Sequence, residues 1–162
     1  MRKILDDCNL DKPLYMIGYG NTLRKDDGVG VYLVINLLKK ISKKPEYIHI
    51  YQAPLNIEYV LKKISKESYI IICDAVKMNA EPGTVVFVEF KDLRHVFFDT
   101  HNVPLSIILE KRSLISNSYL LGIVPQSIEI GEDLTPIVKN SADKVVEVLA
   151  KLLEEKIEDR AS

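Results

Sequence analysis

Residues Leu14–Ile41 read LYMIGYGNTLRKDDGVGVYLVINLLKKI. The run Leu14–Gly18 is apolar and ends in glycine, the pattern of a buried strand. A polar loop, Tyr19–Gly28, follows. Val29–Ile41 then places Val34, Leu37, Leu38 and Ile41 on one helical stripe. Strand, polar turn, helix is the opening half of a βαβ unit, and the same alternation continues downstream. Tyr47–Tyr51 alternates as a strand does. Pro54 opens a helical segment carrying Ile57, Val60, Leu61 and Ile64. Tyr69–Cys73 (YIIIC) is apolar throughout, as in a central strand covered on both faces.

Beyond the Pro82–Gly83 turn, Thr84–Phe90 (TVVFVEF) reads as a strand. It follows YIIIC after too short a connection for a parallel crossover, so it is expected to pair antiparallel. Pro104–Leu109 begins a helix, and Tyr119–Val124 (YLLGIV) is a further strand. Ser141–Leu153 is a closing helix with Ser141 as its N-cap. The expectation is an α/β fold of three layers: a mostly parallel sheet of about five strands with helices on both faces. A chain of 162 residues fits one domain. Residues 1–12 read as an N-terminal extension, 13–156 as the domain and 157–162 as a tail.

Composition removes several classes. The formal net charge is −1, which leaves no basic surplus for nucleic-acid binding. No window approaches the ~20 apolar residues of a membrane span. The start, MRKILDDCNLDK, places acids where a signal peptide needs an apolar run. Two cysteines without CxxC spacing suit a reducing compartment, so a cytoplasmic protein is expected. A monomer is the expected state.

Ligands in open α/β sheets bind beyond the carboxyl ends of the strands. Three metal-competent groups fall there: Asp26 or Asp27 in the first loop, Asp74 at the end of YIIIC, and His101 in FFDTHNVPL. Each has a simpler role available. Asp26 or Asp27 can cap the following helix, Asp74 can accept loop amides, and His101 can be a hydrogen-bonded loop histidine. Together, two carboxylates and an imidazole make a donor set for a divalent transition metal. Tyr19 and Asn21 flank the loop, where Asn21 suits a local turn and Tyr19 packing. His49 and His95 have no partner evident in the sequence.

Other chemistries lack their motifs. Gly18-x-Gly20-x-x-Leu23 misses the third glycine of a dinucleotide fingerprint, and its loop carries two acids that would repel a pyrophosphate. The chain contains no GxxxxGK[ST], GxSxG or HExxH. Cys73 points away from Asp74 along a strand, into a helix layer, and reads as a small core residue rather than a nucleophile.

Four segments carry a family resemblance. GYGNTLRKDDGVG resembles the first motif of the hydrogenase maturation endopeptidases. ICDA (Ile72–Ala75) looks like their second, THNVPL (Thr100–Leu105) is similar to their histidine motif, and GIVPQSIEIGEDLTPIV (Gly122–Val138) resembles the segment after their last strand. The histidine motif is most similar to that of the branch processing formate-hydrogenlyase hydrogenases. The resemblance implies a twisted sheet with one metal site built from Asp27, Asp74 and His101. It implies an endopeptidase that removes the C-terminal extension of a nickel–iron hydrogenase large-subunit precursor after nickel insertion. The nickel would be carried by the substrate, although other divalent metals can occupy such a site. One departure stands out: Tyr51–Asn56 lacks the glycines that many relatives carry after the second strand. The alternatives are a resident metal, metal-free acid–base catalysis by the carboxylates, a non-catalytic metal-binding or chaperone-like module docking on a precursor, and a nucleotide-binding domain.

Overall fold

The computed structural model describes residues 1–53, 56–93 and 105–161. In chain order the strands are β1 (Leu14–Tyr19), β2 (Ile48–Ala53), β3 (Tyr69–Ala75), β4 (Val85–Glu89) and β5 (Ser118–Ile123). The helices are α1 (Arg2–Asp7), α2 (Val29–Lys40), α3 (Ile57–Leu61), α4 (Leu105–Lys111) and α5 (Pro136–Ala161). One sheet forms in the order β2-β1-β3-β5-β4. Its first four strands are parallel, and β4 runs antiparallel to β5. The expected three-layer α/β architecture is present. No helix among the described residues is long and apolar enough to cross a membrane.

Each face of the sheet covers a separate core. Leu14, Met16, Ile71, Cys73, Leu121 and Ile123 meet α1, α2 and α5 on one side. Ile17, Ile70, Ile72 and Leu120 meet α3 and α4 on the other. The three isoleucines of YIIIC are fully buried, as its unbroken apolar run requires.

Several details differ from the sequence reading. The antiparallel strand β4 lies beside β5, not beside β3. The apolar run of β5 needs cover on both faces, whereas β4, with Val85 and Phe87 exposed, suits an edge. The closing helix begins at Pro136, five residues before Ser141. Proline suits a first helical turn, and the Thr135 carbonyl accepts the Lys139 N–H at 2.9 Å, so Ser141 lies inside the helix and caps nothing. That helix also continues through residues 157–161, and the 1–12 segment holds α1. Ile4 and Leu5 of α1 are buried in the same core as Leu149 and Leu153 of α5. Pro54, expected to open the third helix, lies outside the described residues; α3 instead has Asn56 as N-cap, accepting the Tyr59 N–H.

The first turn of α2 rests directly on the sheet. A methyl group on Gly30 would lie 2.0 Å from the Cys73 carbonyl oxygen and 2.3 Å from that of Tyr19. One on Gly18 would lie 2.4 Å from the Gly30 carbonyl oxygen. Backbone therefore packs on backbone where β1, β3 and α2 meet. Gly30→Ala should lift the helix off the strand ends at about 2 kcal/mol or more. The expected loss in thermal midpoint is roughly 4–8 °C for a chain of this size, and an unchanged midpoint by scanning calorimetry would show that the contact is not as tight as described.

Candidate functional site

The carboxyl ends of β1, β3 and β5 share one edge, and the loops after β1 and β5 rise from it. Asp74 sits near the end of β3, opposite Gly122 of β5. It shares the sheet face of Ile70 and Ile72, and Tyr19 lies on that face with Ile17. Asp74 is 7 % exposed, and its Oδ1 accepts the Ala75 N–H at 2.8 Å. Burial pushes its carboxyl up to about 8, the Ala75 hydrogen bond opposes that, and the charge of Asp27 raises it further.

Asp27 is half-buried in the 3₁₀ turn Lys25–Gly28. Its Oδ2 accepts the Asn21 N–H at 3.2 Å. Asn21 in turn closes a turn through its side chain, whose Oδ1 accepts the Leu23 N–H at 3.0 Å. Gly20 is the link between the two acids. Its φ is +121°, and a side chain there would meet the Asp27 carbonyl oxygen at 1.8 Å and Asp74 Oδ1 at 3.5 Å. The Tyr19 phenol is held above its ordinary range by burial and then by the charges of Asp74 and Asp27, so all three groups feel one another.

Asp26 takes a different part, one that sequence reasoning missed. It is fully buried. Its Oδ2 accepts the N–H groups of Gln126 and Ser127, each at 2.9 Å, and its Oδ1 accepts the Thr135 N–H at 2.7 Å. The Thr135 hydroxyl donates to the same carboxylate. The carboxylate thus ties the loop after β1 to the loop after β5. Neither Asp26 nor Asp27 caps α2, whose N-cap is Gly28 with no side-chain bond. The one visible signal was the Thr135–Pro136 pair, a threonine just ahead of a helix-opening proline.

The remaining expectations divide. Cys73 is buried on the α2 and α5 face, and burial followed by the Asp74 charge pushes its thiol up to about 12. A thiolate is therefore strongly disfavoured, and the side chain is core. His49 does have a partner: its ring stacks on Tyr15 at 4.6 Å, and burial, then the Lys44 charge, lowers its pKa. His101 and His95 lie outside the described residues. Among the described residues no group of three histidine, cysteine or acidic side chains could hold a metal. Asp27 and Asp74 supply oxygen donors whose mutual repulsion a divalent cation would relieve, so they suit such an ion as two ligands of a larger set.

The raised Asp74 carboxyl sets a pH dependence on the metal-free fold. Its folded pKa of about 8 exceeds its ordinary 3.8. Between those values the folded chain keeps a proton that the unfolded chain has released. Stability therefore falls as pH rises through that window, and the full cost is present above it. Asp74→Asn removes the ionisation. Its thermal midpoint in chelator should match the wild type near pH 4 and exceed it increasingly toward pH 9. A constant difference across that range would mean that Asp74 ionises as it would in water.

Comparison with known proteins bears on the family and the fold. A family model described as hydrogenase maturation protease matches residues 32–152. A Methanocaldococcus jannaschii protein, provisionally assigned as a hydrogenase maturation protease, is 33 % identical over 94 % of this chain and 95 % of its own. The hydrogenase 2 maturation protease of Escherichia coli K12 is 28 % identical over 90 % of this chain and 93 % of its own. With a hydrogenase 2 enzyme among the relatives, the similarity does not single out the formate-hydrogenlyase branch. The crystal structure of a NiFe hydrogenase maturation protease from Thermococcus kodakarensis KOD1 shares the fold. It gives a TM-score of 0.80 at 23 % identity, over 94 % of this chain and 97 % of that one. By the extent of the family match and the full-length similarity to its relatives, the chain belongs to the hydrogenase maturation protease family.

Proposed function

We propose that the chain is a cytoplasmic endopeptidase that removes the C-terminal extension of a nickel–iron hydrogenase large-subunit precursor once nickel has been inserted. In this reading Asp27, Asp74 and His101 engage the nickel that the precursor carries. The observation that supports it best is the meeting of two carboxylates, one from a loop and one from a strand end, at one sheet edge, with the Asp74 carboxylate short of water.

Desolvation and the nearby Asp27 keep Asp74 protonated near neutral pH in the free protein. Arriving positive charge reverses that balance, because an opposite charge favours both carboxylates in their ionised form. The cleft is thus poor at holding two bare charges and better suited to them when a cation is delivered. Cleavage then depends on the loaded state of the precursor: the shared ion holds the scissile bond in register, an orientation effect. Such an ion can also polarise the carbonyl or activate water. Tyr19, near enough to feel both acids, keeps its phenolic proton and so remains a hydrogen-bond donor.

The test is direct. Metal-free protein is mixed with nickel-loaded and with nickel-free precursor, and the large subunit is weighed by mass spectrometry. Shortening is expected of the loaded precursor alone. Asp27→Asn, Asp74→Asn and His101→Ala should each slow it roughly 100-fold or more. A chain that purifies with a tight stoichiometric metal and shortens the nickel-free precursor would overturn the shared-metal reading. Binding with no shortening under any condition would favour a docking module over a protease.

A further inference from the structure

Beyond the acids, the same edge carries aliphatic side chains in water. Leu23 is 60 % exposed, Ile128 44 % and Ile130 89 %. Isolated exposed aliphatics are common and need no explanation. These three share one backbone frame. The Gly131 N–H donates to the Leu23 carbonyl at 3.0 Å, and the Lys25 N–H donates to the Gly131 carbonyl at 2.7 Å. Arg24 Nε donates to the Ile128 carbonyl at 3.0 Å. Beneath them lies the buried Asp26 carboxylate, bonded to Gln126, Ser127 and Thr135. The exposure is therefore built into pinned loops and does not come from a slack segment.

We infer that Leu23, Ile128 and Ile130 form the docking rim for the folded body of the precursor, and that they engage an apolar patch on that protein beside its C-terminal extension. This rests on the protease reading above. The place of the rim beside the acids selects that occupant. Leu23 is on the same short loop as Asp27, so whatever touches the rim is next to the acids. A protease that senses whether a folded partner is loaded needs contact with that partner beyond the scissile segment. A pre-ordered rim gives that contact with little ordering entropy to lose on binding. Lys25 in the frame is paired with Glu129 at 3.2 Å, and the three side chains that stand in water are aliphatic, so the contact they offer is apolar in character.

The experiment compares wild type with Leu23→Asp/Ile130→Asp, a milder Leu23→Ser/Ile130→Ser pair, and Val148→Asp on the exposed side of α5 as control. Binding of nickel-loaded precursor is measured by calorimetry at low and high salt, cleavage by steady-state kinetics, and folding by thermal midpoint. Both rim pairs should keep the midpoint and kcat. The aspartate pair should raise Kd and KM roughly 10-fold or more, the loss of about 1.4 kcal/mol of contact. Wild-type binding should change little with salt, and the control should match wild type. A rim variant that binds and cleaves as wild type does, a control that loses as much, or binding that collapses in high salt overturns the docking rim. If wild type binds without cutting while the rim variants bind weakly, the rim stands and the protease reading falls. If wild type neither binds nor cuts, both fall.

Discussion

Gly30 lies against the carbonyl oxygens of Tyr19 and Cys73, and the position of each described group at the site follows from that contact. Had either residue at the Gly18–Gly30 crossing carried a side chain, α2 would stand farther from the sheet. The loop that feeds α2 would stand off with it. As built, the end of β1 turns through Gly20, whose left-handed backbone passes between the Asp27 carbonyl and the Asp74 carboxylate. The acid on the loop and the acid on the strand become neighbours because three glycines leave no room for anything to separate them.

The Asp26–Asp27 pair divides two tasks between adjacent residues. Asp26 turns inward and spends its lone pairs on N–H groups and a hydroxyl of the distant 126–135 loop. Hydrogen bonds to a buried carboxylate are among the stronger ones, and losing such an acceptor leaves several buried donors unsatisfied. Asp27 turns outward, half-exposed, with one oxygen on the Asn21 N–H. The first acid fixes the frame, and the second is presented by it. Lys25, the residue before the pair, sits at φ +43°, and its N–H bond to Gly131 helps hold that uncommon conformation.

Local pattern carried the elements that position the site. The apolar run of β1, the stripe of α2 and the all-apolar YIIIC of β3 were readable because each is a periodicity within a few residues. That Asp74 would emerge at the carboxyl edge, with Cys73 facing the opposite core, followed from strand alternation. Strand order was less accessible. Nothing in TVVFVEF says whether it lies beside YIIIC or beyond YLLGIV; the choice depends on which strand most needs covering. Asp26 was opaque for a related reason. Its partners lie about a hundred residues away, and an aspartate ahead of a helix looks like a cap from sequence. The start of α5 was legible in Thr135–Pro136 but yielded to the more familiar serine signal at Ser141. His101 was singled out by motif and lies outside the described residues, so its place in the cleft rests on the proposal.

The central claim is that Asp27 and Asp74 share one poorly hydrated cleft. Carbon-detected NMR of the aspartate carboxyl groups in metal-free protein tests it most directly. Asp74 should titrate near 8 in the wild type. In Asp27→Asn it should titrate lower while remaining above 3.8, because burial is the larger cause and the neighbouring charge the lesser. An Asp74 that titrates near 3.8 in both proteins would contradict the shared cleft and the account built on it.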